Sequence, residues 1–179
     1  MGVYKRLNRT LIHKGKITTV YEDRMLLPNG KEAEWDFIGH HGAAAFVAET
    51  VEGNIVMVRQ YRNALERYTL EIPAGGINED EDFRTAAIRE LQEETGYQAE
   101  QVEKLIDIYT TVAFCNERIE IYCGKVMKKE NQHLDEDEFV EILEYPLNQL
   151  IAMIYRGEIM DSKTVSALLA YKQKKNVSE

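Results

Sequence analysis

Cysteine is nearly absent from this chain. Cys115 and Cys123 are too few and too unpatterned for a disulfide framework or a zinc site, so a reduced cytoplasm is the expected compartment. Long apolar runs are missing too: none approaches the ~18 residues of a membrane span, and no membrane partner is expected. The N-terminal MGVYKRLNRT has basic residues but no apolar core behind them, which is not a signal-peptide pattern. Arg6 stands where a myristoylation site would have Ser or Thr. Positive charge is scarce as well. With 22 Lys and Arg against 31 Asp and Glu, the net charge is −9. That balance lacks the basic footprint of a nucleic-acid binder. An anionic small molecule would have to be recruited by metal ions and a few local arginines rather than by the overall field. No internal repeat or low-complexity segment is present.

What remains is a chain of 179 residues, 44% hydrophobic and 30% charged, sized for one domain or one domain with a small annex. Residues 3–38 read as extended segments without a helix, broken at Lys14-Gly15-Lys16 and at Pro28-Asn29-Gly30, a hairpin signal. Ala43–Thr50 and Asn54–Tyr61 are apolar strands joined at Glu52-Gly53, and Thr69–Ile72 is a short strand entering the loop Pro73-Ala74-Gly75-Gly76. Strands follow near Gln101–Thr111, Glu117–Met127 and Phe139–Glu144. Pro146 opens a helix to about Tyr155, and Asp161 or Ser162 caps a last helix whose tail from Lys174 reads as frayed. This mixture predicts an α+β or α/β/α sandwich.

The densest chemistry lies in Gly75–Tyr97. Thr85–Thr95 is rich in strong helix formers and Gly96 supplies a stop. At about 100° per residue, Phe83, Ala86, Ala87 and Leu91 share one side, with Glu94 and Glu90 roughly 20° to either side of Phe83. Glu90, Glu93 and Glu94 therefore form one acidic cluster beside the apolar stripe, not opposite it. Carboxylates facing a domain body are costly unless paired or metal-bound, and such oxygen ligands suit Mg²⁺ or Mn²⁺. A helix surface with i,i+4 pairs such as Arg89–Glu93 is the alternative reading.

The spacing Gly75, five residues, Glu81, seven residues, then Arg89-Glu90-Leu91-Gln92-Glu93-Glu94-Thr95-Gly96-Tyr97 resembles the Nudix box at every specified position, with Tyr97 where an aliphatic residue is common. Longer stretches resemble the ADP-ribose pyrophosphatase and nucleoside diphosphate sugar hydrolase branch: Val58–Arg62, Leu70–Gly75, Asp135–Val140 and Ile159–Thr164. The resemblance implies a Nudix-type α/β/α sandwich with a mixed sheet over residues 39–179. It also implies an N-terminal antiparallel β annex over 1–38, at a homodimer interface.

By the same resemblance, Glu90 and Glu94 are the principal metal ligands, with the carbonyl of Ala74 completing the site. Glu93 is a further ligand or water-positioner, and Arg89 orients the carboxylates. Glu81 holds the join of loop and helix or is simply a helix-start acid. Arg62 matches a substrate-contacting position and Trp35 one that stacks on adenine, a surface arginine and a core or interface tryptophan being the alternatives. Glu136 matches the general base, with Glu138 in reserve, unless Asp135–Glu138 is a solvated charge run. The implied activity is Mg²⁺-dependent (Mn²⁺ as the substitute) hydrolysis of ADP-ribose or a related nucleoside diphosphate sugar. Alternatives are another nucleoside diphosphate derivative such as GDP-mannose, or a ligand-sensing module that does not cleave. Two departures bear on specificity. Thr111-Val112-Ala113 lacks the proline of the branch's turn after the box, and His40 beside His41 stands where some members carry arginine.

Overall fold

A computed structural model of the chain describes residues 2–128, 131–134 and 139–178. It contains two compact units, Met1–Gly42 with Tyr109–Arg118 and Ala43–Ile108 with Ile119–Glu179. In the first, β1 (Lys5–Lys14), β2 (Thr19–Leu26) and β3 (Glu32–Gly39) form an antiparallel sheet in that order. The turns fall at the expected glycines: Gly15 N–H donates to Thr18 O at 2.9 Å and Gly30 N–H to Leu27 O at 3.0 Å. The short extended pieces of the sequence run together into two long strands, because cross-strand pairing carries the chain through its polar positions. Asp23, on β2, is buried and receives both Nε and Nη2 of Arg9 at 2.6 Å.

The second unit contains β4 (Ala43–Glu49), β5 (Asn54–Arg62), a 3₁₀ turn (Asn63–Leu65), β6 (Arg67–Glu71), β7 (Ala74–Gly76), α1 (Phe83–Thr95) and β8 (Tyr97–Ala99). After these come β9 (Glu103–Tyr109), β10 (Arg118–Lys128), β11 (Val140–Pro146), α2 (Leu147–Tyr155) and α3 (Ser162–Ser178). The sheet order is β11-β5-β4-β10-β8, with β6 on β5, β7 on β4 and β9 on β10. The β4–β10 pairing is parallel, Ala43 to Glu49 against Ile119 to Lys125, so the sheet is mixed.

β4 explains the layering. All seven of its residues are buried, and because strand side chains alternate faces they divide between two cores. Ala43, Ala45 and Val47 join Leu150 of α2 and Leu168 and Tyr171 of α3. Ala44, Phe46 and Ala48 join Ala86, Ala87 and Leu91 of α1. Helices thus cover both faces of the sheet, the α/β/α arrangement expected.

α1 begins at Asp82, whose Oδ1 accepts from Thr85 N–H at 3.1 Å, and ends where Gly96 takes the left-handed conformation at φ 69° that glycine adopts without a Cβ penalty. The unusual Tyr97 is accommodated because its buried ring ends in a hydroxyl that donates to Glu144 Oε1 at 2.6 Å. Two local expectations fail. Ala74–Gly76, read as loop, pairs with Ala45–Ala43 as a short strand. The tail stays helical to Ser178, where Lys174 and Lys175 pair with Glu103 and Glu49. Truncating Leu91 to Ala removes a fully buried side chain between α1 and β4 and is expected to cost about 2–5 kcal/mol in urea unfolding. A loss below about 1 kcal/mol would contradict the packing described.

Candidate active site

The strap Ile72–Gly76 leaves β6, passes beneath α1 and returns as β7. Phe46 N–H donates to Pro73 O at 3.0 Å, fixing its middle. The Ala74 N–H then donates to Glu94 Oε2 at 3.0 Å. Glu94 is 4% exposed, one turn beyond Glu90 on the face that packs against the sheet. A Cβ on Gly75 would collide with the Glu90 carboxyl group, so only glycine lets that carboxylate lie on the backbone. Both inward carboxylates thus meet the strap, as the helical angles predict.

Arg89 gathers the others. Its Nε and Nη2 donate to the two oxygens of Glu81 at 2.9 Å each, and Nη2 also donates to Gly76 O at 2.9 Å. Nη1 donates to Glu90 Oε1 at 2.7 Å and to Glu93 Oε2 at 2.8 Å. The Glu81 bond, ahead of the others, raises the Arg89 pKa above its usual value. Arg89 in turn lowers that of Glu81, whose Oε2 also accepts from Asn78 N–H at 3.1 Å. Glu81 is therefore the clasp between loop and helix, not an isolated acid at the helix start.

The donor chemistry fits a divalent cation: hard carboxylate oxygens clustered on one helix face beside a glycine-rich strap. Among the described residues no group of three Asp, Glu, His or Cys side chains is placed to hold a metal ion by itself, so an ion here would need phosphate or water oxygens as well.

Arg62 lies in the same unit. Its Nε and Nη2 grip the two oxygens of Glu71 at 2.7 and 2.6 Å, and Glu71 is the main cause of its raised pKa. Glu71 is 2% exposed and also receives Thr69 Oγ1 at 2.6 Å and Lys163 Nζ. Burial pushes the Glu71 carboxyl up, but Arg62 and Lys163 together outweigh it and bring it down to about 2. This charged knot has no counterpart in the reading of the sequence. The available signal was a glutamate between two apolar residues, Leu70 and Ile72.

Trp35 belongs to the other unit. Its ring lies 5.8 Å from that of Tyr4, and it lines a pocket of about 480 Å³ with Met25, Phe37, Tyr109 and Phe114. His40 Nδ1 accepts from Gly42 N–H at 3.0 Å, and Nε2 lies 3.6 Å from Glu117 Oε1. Glu136 and Glu138 fall outside the described residues. The segment before them is anchored on α1: His133 N–H donates to Glu93 O at 2.8 Å and Gln132 Nε2 to Glu94 O at 2.6 Å.

The NUDIX domain family matches residues 39–168, a span that contains the whole acidic helix and its strap. The chain belongs to the Nudix family. A methanol dehydrogenase activator of Bacillus methanolicus is 44% identical over 166 residues, covering 92% of this chain and 90% of the relative. An ADP-ribose pyrophosphatase of Bacillus subtilis is 38% identical with the same coverage. A crystal structure of an ADP compounds hydrolase superposes with a TM-score of 0.85 at 20% identity, over 98% of this chain and 95% of that one, a likeness of fold. The chain is thus a Nudix hydrolase, from a family that generally uses divalent metals.

The Glu71 pKa predicts a pH signature in this Nudix chain. Its folded value lies below the unfolded 4.5, so its contribution is complete above about pH 4.5 and disappears as pH falls toward 2. Glu71→Gln should cost on the order of 3 kcal/mol at pH 7, with a gap to wild type that narrows between pH 4.5 and 2 in urea unfolding. A gap that stays constant over that range would show that the charge contributes nothing.

Proposed function

We propose that this Nudix hydrolase is a divalent-metal-dependent pyrophosphatase acting on ADP-ribose or a related nucleoside diphosphate sugar. With ADP-ribose, water adds across the P–O–P bridge and the products are AMP and ribose 5-phosphate. The observation that carries this reading is the seating of Glu90 and Glu94 against the Ala74–Gly75 strap. Glu90, Glu93, Glu94 and the Ala74 carbonyl would hold the ion, Mg²⁺ or Mn²⁺, which would supply charge neutralisation at the phosphate oxygens and acidification of water. Arg89 keeps its neighbouring carboxylates in register, and Arg62 offers fixed charge to the substrate's diphosphate. Glu136, with Glu138 as the alternative, takes the proton from the attacking water.

The B. subtilis relative's name supports ADP-ribose as the substrate. GDP-mannose is the alternative among diphosphate sugars. The B. methanolicus relative's name favours a second reading, action on behalf of a dehydrogenase. Because the carboxylate set is intact, that role is read as running through hydrolysis rather than ligand sensing alone.

A homodimer is part of the proposal. Tyr4, Leu11, Ile12 and Ile17 are exposed at and beside β1, an apolar edge that a second copy would cover, with Trp35 then serving adenine in the partner's site. Size-exclusion chromatography should give a dimer. A fully active monomer would overturn this arrangement.

The decisive assay offers ADP-ribose, ADP-glucose, GDP-mannose, NADH and nucleoside triphosphates with Mg²⁺ or EDTA. Turnover of a diphosphate sugar that EDTA abolishes is expected, and no turnover of any would defeat the proposal. Glu94→Gln should lower the rate by at least about 100-fold, and activity within a few-fold of wild type would refute the metal assignment. The atoms nearest to a methyl group added by Gly75→Ala are the carboxyl end of the Glu90 side chain. The substitution should leave the melting temperature nearly unchanged while lowering kcat about 10- to 100-fold. Unchanged kcat would remove Glu90 from the site.

A further inference from the structure

Behind Arg62, Glu71 and Lys163 form a buried charged pair, and neither has a role in the reaction described so far. Lys163, on the first turn of α3, is 8% exposed, and its Nζ bridges Glu71 and Asp161, the latter at 3.0 Å. Asp161 caps that turn, accepting from Thr164 N–H at 3.0 Å and Thr164 Oγ1 at 2.6 Å. Thr164 Oγ1 in turn accepts from Ile72 N–H at 3.1 Å. Two successive residues are thereby fastened to α3, Glu71 by its side chain and Ile72 by its backbone. Two and three residues further on, at Ala74 and Gly75, the strap meets Glu94 and Glu90.

Buried ion pairs are poor stabilisers, because desolvation offsets most of their attraction. An apolar cluster would hold β6 to α3 as well. What the ionic version adds is direction. Glu71 binds the Arg62 guanidinium through both oxygens, which fixes its plane, while Arg62 remains 41% exposed. Lys163 and Thr69 fix Glu71 in turn.

We propose that Lys163 and Glu71 are positioning residues for the hydrolysis, holding Arg62 and the Ile72–Gly76 strap in one register so that the diphosphate is presented to the carboxylates of α1. The proposal rests on the reading of Arg62 and Glu90/Glu94 given above. Lys163 acts through Arg62 and touches no substrate.

A double-mutant cycle tests it. In full-length protein with Mg²⁺ and ADP-ribose, or with the best substrate of the panel, Lys163→Met should lower kcat/KM about tenfold or more in an otherwise wild-type chain. In an Arg62→Ala background it should lower it less than about threefold, because the group it positions is gone. Lys163→Arg, which keeps the charge, should restore most of the loss. Thermal unfolding of each variant runs alongside. A merely structural knot lowers the melting temperature and costs the same factor in both backgrounds, and that result overturns the proposal. So does a Lys163→Met enzyme as active as wild type. If Lys163→Met does not fold, Thr69→Val, which removes one hydrogen bond to Glu71, carries the same cycle with the same criteria. Wild-type protein that cleaves no diphosphate defeats the functional reading itself and the positioning role with it. Turnover with strictly additive variants defeats the positioning role alone.

Discussion

The site depends on one guanidinium. Carboxylates three and four residues apart on a helix repel one another, and Glu90, Glu93 and Glu94 crowd a single face beside the sheet. Arg89 relieves that crowding with five hydrogen bonds, to Glu81 twice, Glu90, Glu93 and the Gly76 carbonyl. An arginine has five N–H donors, and all are used. A lysine would bring three donors and no fixed plane, so it would release either the loop or the helix. The same side chain that collects the acids therefore also determines where the strap lies relative to α1.

The sheet supplies the rigid side of this arrangement. β4 is buried along its whole length and packs into both cores. The strap is hydrogen-bonded along it, through Phe46 N–H to Pro73 O and through β7. The carboxylates face a backbone that cannot drift without disturbing two layers of packing. α3 secures the other end of the strap at Ile72. Strap, helix and sheet thus behave as one support, and the exposed charges of the site sit on its surface.

How much of this could be read from the chain varies with the physics. The run Thr85–Thr95 and the stop at Gly96 are local signals, so α1 was legible except for its first two residues, and so was the inward turn of Glu94, which follows from helical angle alone. β7 was not, because three residues of Ala-Gly-Gly carry no periodicity and become a strand only through pairing with Ala43–Ala45. The helical end of α3 was hidden for a similar reason, since Lys174 and Lys175 look like a frayed basic tail until Glu103 and Glu49 are brought to them. Glu71 lay in a stretch whose resemblance was visible, yet its burial between Arg62 and Lys163 depends on residues roughly ninety positions apart in the chain. The acidic helix was legible; the strand pairing of its strap and the bracing behind it were not.

The bond from the Ala74 amide to Glu94 has a practical side. A backbone proton shared with a carboxylate resonates according to the charge on that carboxylate and the distance between them. The nitrogen-15 signal of Ala74 is therefore a built-in reporter. It would register protonation of Glu94, or the arrival of a cation beside it, in unmodified protein and without any substrate being turned over.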